Sequence, residues 1–553
     1  MGATALGTLG VARLGLPISE KKTLAEEETE LSEALHLSGQ KDTLYFWYTD
    51  EGMTDYLNSV AVSYNETKDD VRVVPVLKSG SEYLEHVNQA SIDDEELPDI
   101  YLIGNDSLEK AYLAGLADQI QPAFATPVEE LYPQAALDAV TYKDKLVGYP
   151  LSYVTTSFLY NETYLKDWII ARSAAEENAQ VAEAEKAAAD AETTATDPQQ
   201  EKQQTETAKT DTSKTETAKT DTSAEKTADA SNTDQANQTT EETSENQTAE
   251  ETVEEKPEVS REEVEAILPH TMDALLSFAD EYDAPEQVDG VFRWDVNDIF
   301  YNYFFVGDAI LVGGVHGDDP TQIDLYNETA INSMLLYKNL NQFFSIDTEE
   351  VSYEGVVQDF IDGKIVFTVA KQDAIAKIEA AKAEGTFPYE YGVCLLPDIS
   401  DTVKARTLSV TNAVVINAYS EHREAANEFA GYLVEQTKNG DAFLARTGKI
   451  SALLDATYEN PKYLAFMEEY KKSEPIAKLI ETSNYWVKLE VAFSRIWNGE
   501  NANAILKQLS EEIMTQVTGE DYEEEYLPVE EIVEEEETLE EPVTEDFGNT
   551  ESD

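Results

Sequence analysis

Between Asp42 and Leu116 one pattern occurs three times: a short apolar run rich in β-branched or aromatic residues, a small polar turn, then a stretch with helical spacing. DTLYFWYTDEG is followed by helix-like sequence from Met53 to Tyr64; VRVVPVLKSGSEYLEHV (Val71 to Val87) and LPDIYLIGNDSLEKAYLAGL (Leu97 to Leu116) repeat the arrangement. Apolar runs bounded by turn residues read as strands, and strands alternating with helices imply βαβ units. Such units build a largely parallel sheet with helices on both faces, whose ligand crevice lies at the carboxyl ends of the strands. The loops Tyr48–Gly52, Ser79–Ser81 and Gly104–Ser107 are therefore the places to look for ligand contact, although ordinary turns use the same residues.

From about Ile170 the large apolar residues almost vanish until Val259, and Ala and Glu give way to Thr, Lys, Asp, Ser and Gln. Such sequence cannot bury enough surface to offset the entropy of ordering. Within it TETAKTDTSK (Thr205 to Lys214) recurs as TETAKTDTSA (Thr215 to Ala224), a repeat too short and polar to be a solenoid unit. The segment reads as a disordered loop with helix at its Ala-rich entrance. Periodic apolar sequence resumes at Val264 and continues to about Val517, beyond which an acidic tail follows with isolated apolar residues.

The 39 Lys and Arg against 112 Asp and Glu give a formal net charge of -73, which excludes nucleic acid and an anionic membrane face as partners through like-charge repulsion. Cys394 is the single cysteine, so there is no disulfide framework and no thiolate cluster; a buried structural cysteine is expected. His36, His86, His270, His316 and His422 are scattered without i, i+4 pairing, and neither a metal site nor a cofactor is expected. The start, MGATALGTLGVARLGLP, is small and apolar but too short to span a bilayer, and reads as the remnant of an export or anchor segment whose true start lies upstream.

Four pieces carry a family resemblance: DTLYFWYTDEG, LPDIYLIGNDSLEKAYLAGLADQIQP, YKDKLVGYPLSYVTTSFLYNETYL and VVQDFIDGKIVFTVA. In this order and spacing, and with SVTNAVVINAYSEHREAANEFAGYLV, GKISALL and SNYWVKLEVAFSRIWNG behind them, they resemble the family 1 bacterial extracellular solute-binding proteins, the substrate-binding components of ABC transporters. The resemblance covers Asp42 to Asn161 and Val264 to about Ile513. It implies an α/β, two-lobed periplasmic-binding-protein type II fold with a hinge. On that reading 1–40 is the export remnant and an acidic tether, and 41–152 is the first part of lobe 1. Residues 153–171 and 259–403 form lobe 2, interrupted by the low-complexity insertion 172–258. Lobe 1 resumes over 404–455, C-terminal helices over 456–518 close the lobes, and 519–553 is a disordered tail.

The resemblance also implies site residues. Trp486 falls where the family places a sugar-stacking tryptophan; a core aromatic on an amphipathic helix is the alternative. Asp50 and Glu51 end the first strand, and Asn105 and Asp106 follow the third, where the family has polar contacts; helix capping accounts equally well for Asp106. Tyr153 and Thr155 lie in the crossover near the hinge. Trp294, Asn297 and Asp298 precede the aromatic helix of lobe 2, with core packing an open role for Trp294. Asp373 falls where the family's maltodextrin binders carry another aromatic, and Ile103 also departs from an expected aromatic, so maltodextrin is not implied.

The function implied is capture of a small solute, a carbohydrate by preference, in the inter-lobe cleft, and delivery to the permease subunits of an ABC importer by a monomer at the extracellular face of the membrane. A ligand-sensing or adhesive surface protein keeping the same clamp is the alternative. A glycosidase would use paired carboxylates, but abundance says nothing of their separation. No Walker-type loop, GxSxG elbow, HExxH or Cys-His pair is present, and Gly313 to Gly317 lacks the spacing of a dinucleotide fingerprint.

Overall fold

A computed structural model describes residues 41–93, 97–122, 124–194, 258–479 and 484–529. The segment expected to be an export remnant, most of the expected insertion and the end of the tail lie outside the described residues. The described residues fall into two units, one within Met1–Trp168 and Val264–Asp553 and the other within Ile169–Glu263.

The principal strands of the first unit are, in chain order, β1 (Asp42–Tyr48), β2 (Val71–Leu77), β3 (Pro98–Gly104), β4 (Tyr149–Val154), β5 (Thr156–Asn161), β6 (Gly290–Phe292), β7 (Ile365–Lys371), β8 (Tyr391–Cys394), β9 (Leu408–Ile416), β10 (Ile450–Ser451) and β11 (Glu474–Pro475). They form two sheets. That of lobe 1 has the order β10-β4-β9-β3-β1-β2, with β11 added to β9. That of lobe 2 has the order β8-β5-β7-β6.

The three sequence repeats supply β1, β2 and β3, which pair in parallel as expected. β3 is buried along nearly its whole length, as a central strand covered on both faces must be. Pro75, which lacks an N–H for a ladder, sits in β2 at the sheet edge, where a missing donor is tolerated. The expectation of a largely parallel sheet needs correction beyond β3. β9 runs antiparallel to both β3 and β4, because the chain re-enters lobe 1 from lobe 2 and so meets the sheet from its opposite end. In lobe 2 β5 is antiparallel to β7 and β8, and only β6 is parallel to β7.

Lobe 2 is held by aromatics. Phe292 stacks on Trp294 at 4.4 Å, Trp294 meets Trp497 edge-on at 5.4 Å, and Tyr337 lies 5.0 Å from Trp497. Cys394, expected to be buried, is half-buried on β8 at the edge of the lobe 2 sheet; the protein around it still pushes its thiol pKa up.

The helix expected at the Ala-rich entrance of the insertion is present as the continuation of Glu162–Thr194, whose Ala-rich stretch favours helix. One boundary differs from the sequence reading. The start of the acidic tail is docked rather than solvated: Leu527 N–H donates to the Tyr326 hydroxyl at 3.0 Å, and Asn503 donates to the Leu527 carbonyl at 2.8 Å. In the second unit Ser260 and Glu263 form a capping box for the helix beginning at Arg261, the carboxylate accepting the Ser260 N–H at 2.8 Å. No described helix is long and apolar enough to cross a membrane.

Candidate functional site

Three chain segments connect the two sheets, and their hydrogen bonds fix where a cleft can open. The first is the junction of β4 and β5 at Thr155, the second leads through Thr407 into β9, and the third runs from Ser473 through β11 to Lys478. Thr155, Thr407, Ser409 and Ser473 are all buried. The Thr155 hydroxyl donates to the Leu408 carbonyl at 2.9 Å and lies 2.8 Å from that of Thr407. The hydroxyls of Ser473 and Ser409 are 2.8 Å apart, and Glu474 and Ile476 donate their N–H groups to the carbonyls of Thr407 and Ser409. Small hydroxyl residues let three backbones run side by side while satisfying each polar group, which an apolar hinge could not do.

Four of the expected site residues are built into this frame or the cores beside it. Asn105 is fully buried; its amide donates to the Ile476 carbonyl at 2.8 Å and its oxygen accepts the Thr411 N–H at 2.9 Å, so it ties β3 to the third crossing. Thr155 is a hinge clamp. Tyr153, 1 % exposed, stacks on Tyr470. Trp294, fully buried, donates its indole N–H to Asn302 at 2.8 Å within the aromatic core of lobe 2. In this arrangement these side chains face protein on all sides, and for Trp294 the core-packing role is the one occupied.

Asp50, Glu51 and Asp106 lie at the ends of lobe 1 strands. Asp50 follows β1 and caps a short helical turn by accepting the Gly52 N–H at 2.9 Å, with Lys449 Nζ 2.6 Å from its other oxygen. Glu51 is exposed beside it. Asp106, after β3, is open to solvent yet flanked by enough protein that desolvation raises its carboxyl above the usual range. Exposure with crowding is what a concave wall produces.

On lobe 2 the helix Ile299–Asn302, capped by Asp298, packs on the helix Tyr485–Trp497. Trp486 is half-buried there, 5.7 Å from the ring of buried Tyr303. Glu490, one turn on and so on the same face, has its pKa raised by burial and by the carboxylates of Asp298 and Asp295, against the Ile299 amide that lowers it. Sequence reasoning missed Glu490; its i, i+4 spacing from Trp486 was the available signal. Asn297 braces the lobe instead, donating to the Thr348 carbonyl at 2.8 Å.

Asp373 begins the helix after β7. It accepts the Tyr353 hydroxyl at 2.6 Å and pairs with Lys377 at 3.0 Å. Tyr353 stacks on Tyr301 at 4.8 Å, and the Lys371 ammonium sits 4.5 Å above the Tyr353 ring. Lys371, the last residue of β7, was not anticipated either. A cavity of about 280 Å³ lies beside Arg293, Asp347 and Asp359, and another of about 380 Å³ beside Asp118, Gln121 and Arg423. Neither of these is lined by an expected residue, and the strand ends and the helix Tyr485–Trp497 present the better set of polar and aromatic groups for a ligand. Among the described residues no group of three or more His, Cys, Asp or Glu is placed to hold a metal ion.

Comparison with known proteins agrees with this architecture. The family model described as bacterial extracellular solute-binding protein matches residues 249–438. No curated protein sequence matches the chain. Among solved structures, the extracellular solute-binding protein of Staphylococcus aureus in complex with maltose superposes with a TM-score of 0.60 at 15% identity, covering 87% of this chain and 98% of that one. A cyclo/maltodextrin-binding protein complexed with maltotetraose gives 0.59 at 18% identity, covering 86% and 97%. The maltose-binding periplasmic protein of Listeria monocytogenes in complex with maltose gives 0.58 at 16% identity, covering 87% and 98%. The family model thus matches one segment of the chain, and the solved structures share its two-lobed fold; both agree with the resemblance read in the sequence.

Proposed function

We propose that this protein captures a carbohydrate between its two lobes at the extracytoplasmic face of the membrane and presents it to the permease subunits of an ABC importer. The observation that carries the reading is the pairing, on one face of the helix Tyr485–Trp497, of a half-buried Trp486 with Glu490 and the neighbouring Asp298 cap, on the lobe opposite Asp50 and Asp106. A sugar offers apolar C–H faces for stacking and hydroxyls for carboxylates, so one aromatic ringed by acceptors suits it. Contact with both lobes would shift the open–closed equilibrium by the ligand's differential affinity for the closed form. The solved proteins of this fold named above hold maltose or maltotetraose. Asp373 in place of an aromatic argues for a different sugar here.

The test is a thermal-shift screen of the purified protein against mono- and oligosaccharides, amino acids and polyamines, since a ligand that binds only the folded state raises Tm. A saturable shift with one sugar class supports the reading. A shift only with amino acids or polyamines removes the carbohydrate and keeps the clamp; no shift with any solute moves weight to a sensor or adhesive role.

A further inference from the structure

The glycine run Gly313–Gly317 has no part in the reading above, yet its shape is closely determined. Gly313, Gly314 and Gly317 have φ of +85°, +70° and +62°, a region that favours glycine. Within the loop Gly313 N–H donates to the Gln322 carbonyl at 2.8 Å, and the Gly313 carbonyl accepts Asp318 N–H at 2.8 Å. The loop projects from lobe 2 with its conformation fixed by its own hydrogen bonds.

Its far side meets lobe 1 and the third crossing. Asp318 Oδ2 accepts the N–H of Lys143 at 2.6 Å, at the tip of the hairpin Thr141–Leu146. His316 Nδ1 lies 3.1 Å from Asp138 Oδ1, on the lobe 1 helix Gln134–Val140. The Gly317 carbonyl accepts the N–H of Lys478 at 2.8 Å, and the buried Lys478 ammonium donates to the Asp138 carbonyl, also at 2.8 Å. Lys478 thus holds one lobe with its backbone and the other with its side chain. The fit is close: a Cβ on Gly317 would come 3.0 Å from Ala477 Cα. Burial lowers the Lys478 pKa to about 8, against the carboxylates of Asp318, Asp138, Glu474 and Glu109 that raise it. Its charge therefore depends on acids contributed by both lobes.

We propose that the loop Gly313–Asp318 is an inter-lobe latch: its contacts with Lys143, Asp138 and Lys478 hold the two lobes in the arrangement seen here, and their loss releases it. The inference rests on the two-lobed fold and not on the carbohydrate reading, so a failed ligand screen leaves it standing and its own failure leaves the ligand reading intact.

Hydrogen exchange of the full chain, resolved to single amides, tests it. In Asp318→Ala the amide of Lys478, which is held by the Gly317 carbonyl and not by the Asp318 side chain, is expected to exchange about tenfold faster than in the wild type, while Leu102 and Val414 in the lobe 1 sheet keep their rates. Unchanged protection at Lys478 in Asp318→Ala would overturn the latch. Should Asp318→Ala accelerate Leu102 and Val414 as well, His316→Gln, which alters only a partly exposed imidazole, takes its place with the same readout: selective acceleration at Lys143 and Lys478 supports the latch, and rates equal to wild type at both contradict it.

Discussion

The rings of Tyr153 and Tyr470 lie face to face, their centroids 3.7 Å apart and their planes within 3° of parallel. Tyr153 leads into the first crossing and Tyr470 ends one turn before the third, so the stack joins two of the segments that connect the lobes. The two hydroxyls differ. That of Tyr470 is 2.7 Å from Thr411 Oγ1 on β9, whereas that of Tyr153 is buried with no hydrogen-bond partner among the described residues. A buried hydroxyl left without a partner carries a desolvation cost that its removal recovers. Tyr153→Phe is therefore expected to leave stability unchanged or raise it, while Tyr470→Phe lowers it by about 1 kcal/mol. Urea unfolding of the two variants checks the contrast, and a larger loss for Tyr153→Phe would refute it.

The hinge hydroxyls make a second prediction. Thr155→Val preserves shape but strips the partner from Thr407 and the donor from the Leu408 carbonyl. Leaving such groups buried and unpaired costs about 1–3 kcal/mol. Denaturant unfolding should show that loss. A neutral variant would mean that the hydroxyl ladder does not hold the crossings together.

Glu469 gives stability a pH dependence of definite sign. It is fully buried, accepts the Leu396 N–H at 2.6 Å, and lies 3.2 Å from Lys472. Burial pushes its pKa up to about 7; Lys472 and the Leu396 amide pull it down, and Asp398 pushes it further up. The folded state therefore binds this proton more tightly than the unfolded chain. The stabilisation from protonation is fully present below the unfolded value and is lost as pH rises through about 7. Glu469→Gln should match the wild type near pH 4.5 and exceed it at pH 8, by on the order of 2 kcal/mol. Melting curves of both proteins across that range decide the matter; an advantage that does not grow with pH would contradict the assignment.

The fold was legible in the sequence where one local pattern dictates one local structure. β1, β2 and β3 follow from apolar runs closed by turn residues, and their parallel pairing follows from the helices between them. The antiparallel β9 was not legible, because a strand's direction in a sheet depends on where the chain has been since it last left that sheet. The candidate site divides in the same way. Asp50, Asp106 and Asp298, named from the resemblance, keep accessible side chains at the ends of strands and a helix. Trp294 and Asn105 were named from the resemblance and their place along the chain, and both are enclosed by residues distant in sequence, Trp497 for one and Ile476 for the other. Lys449 beside Asp50 and Lys371 above Tyr353 carry no local signal at all.

The two lobe 2 tryptophans separate binding from folding. Trp294, at the centre of an aromatic core, should cost about 3–5 kcal/mol of stability on truncation to Ala. Trp486, half-buried at the surface, should cost far less. The central claim rests on Trp486, and the most direct measurement is calorimetric titration of the wild type and of Trp486→Ala with the carbohydrate that most raises the wild-type Tm. Saturable binding that weakens about tenfold or more in Trp486→Ala, with Tm of the free protein nearly unchanged, is the result expected for a stacking residue in the cleft. Equal affinity in the two proteins would contradict it and place the ligand away from this face of the helix Tyr485–Trp497.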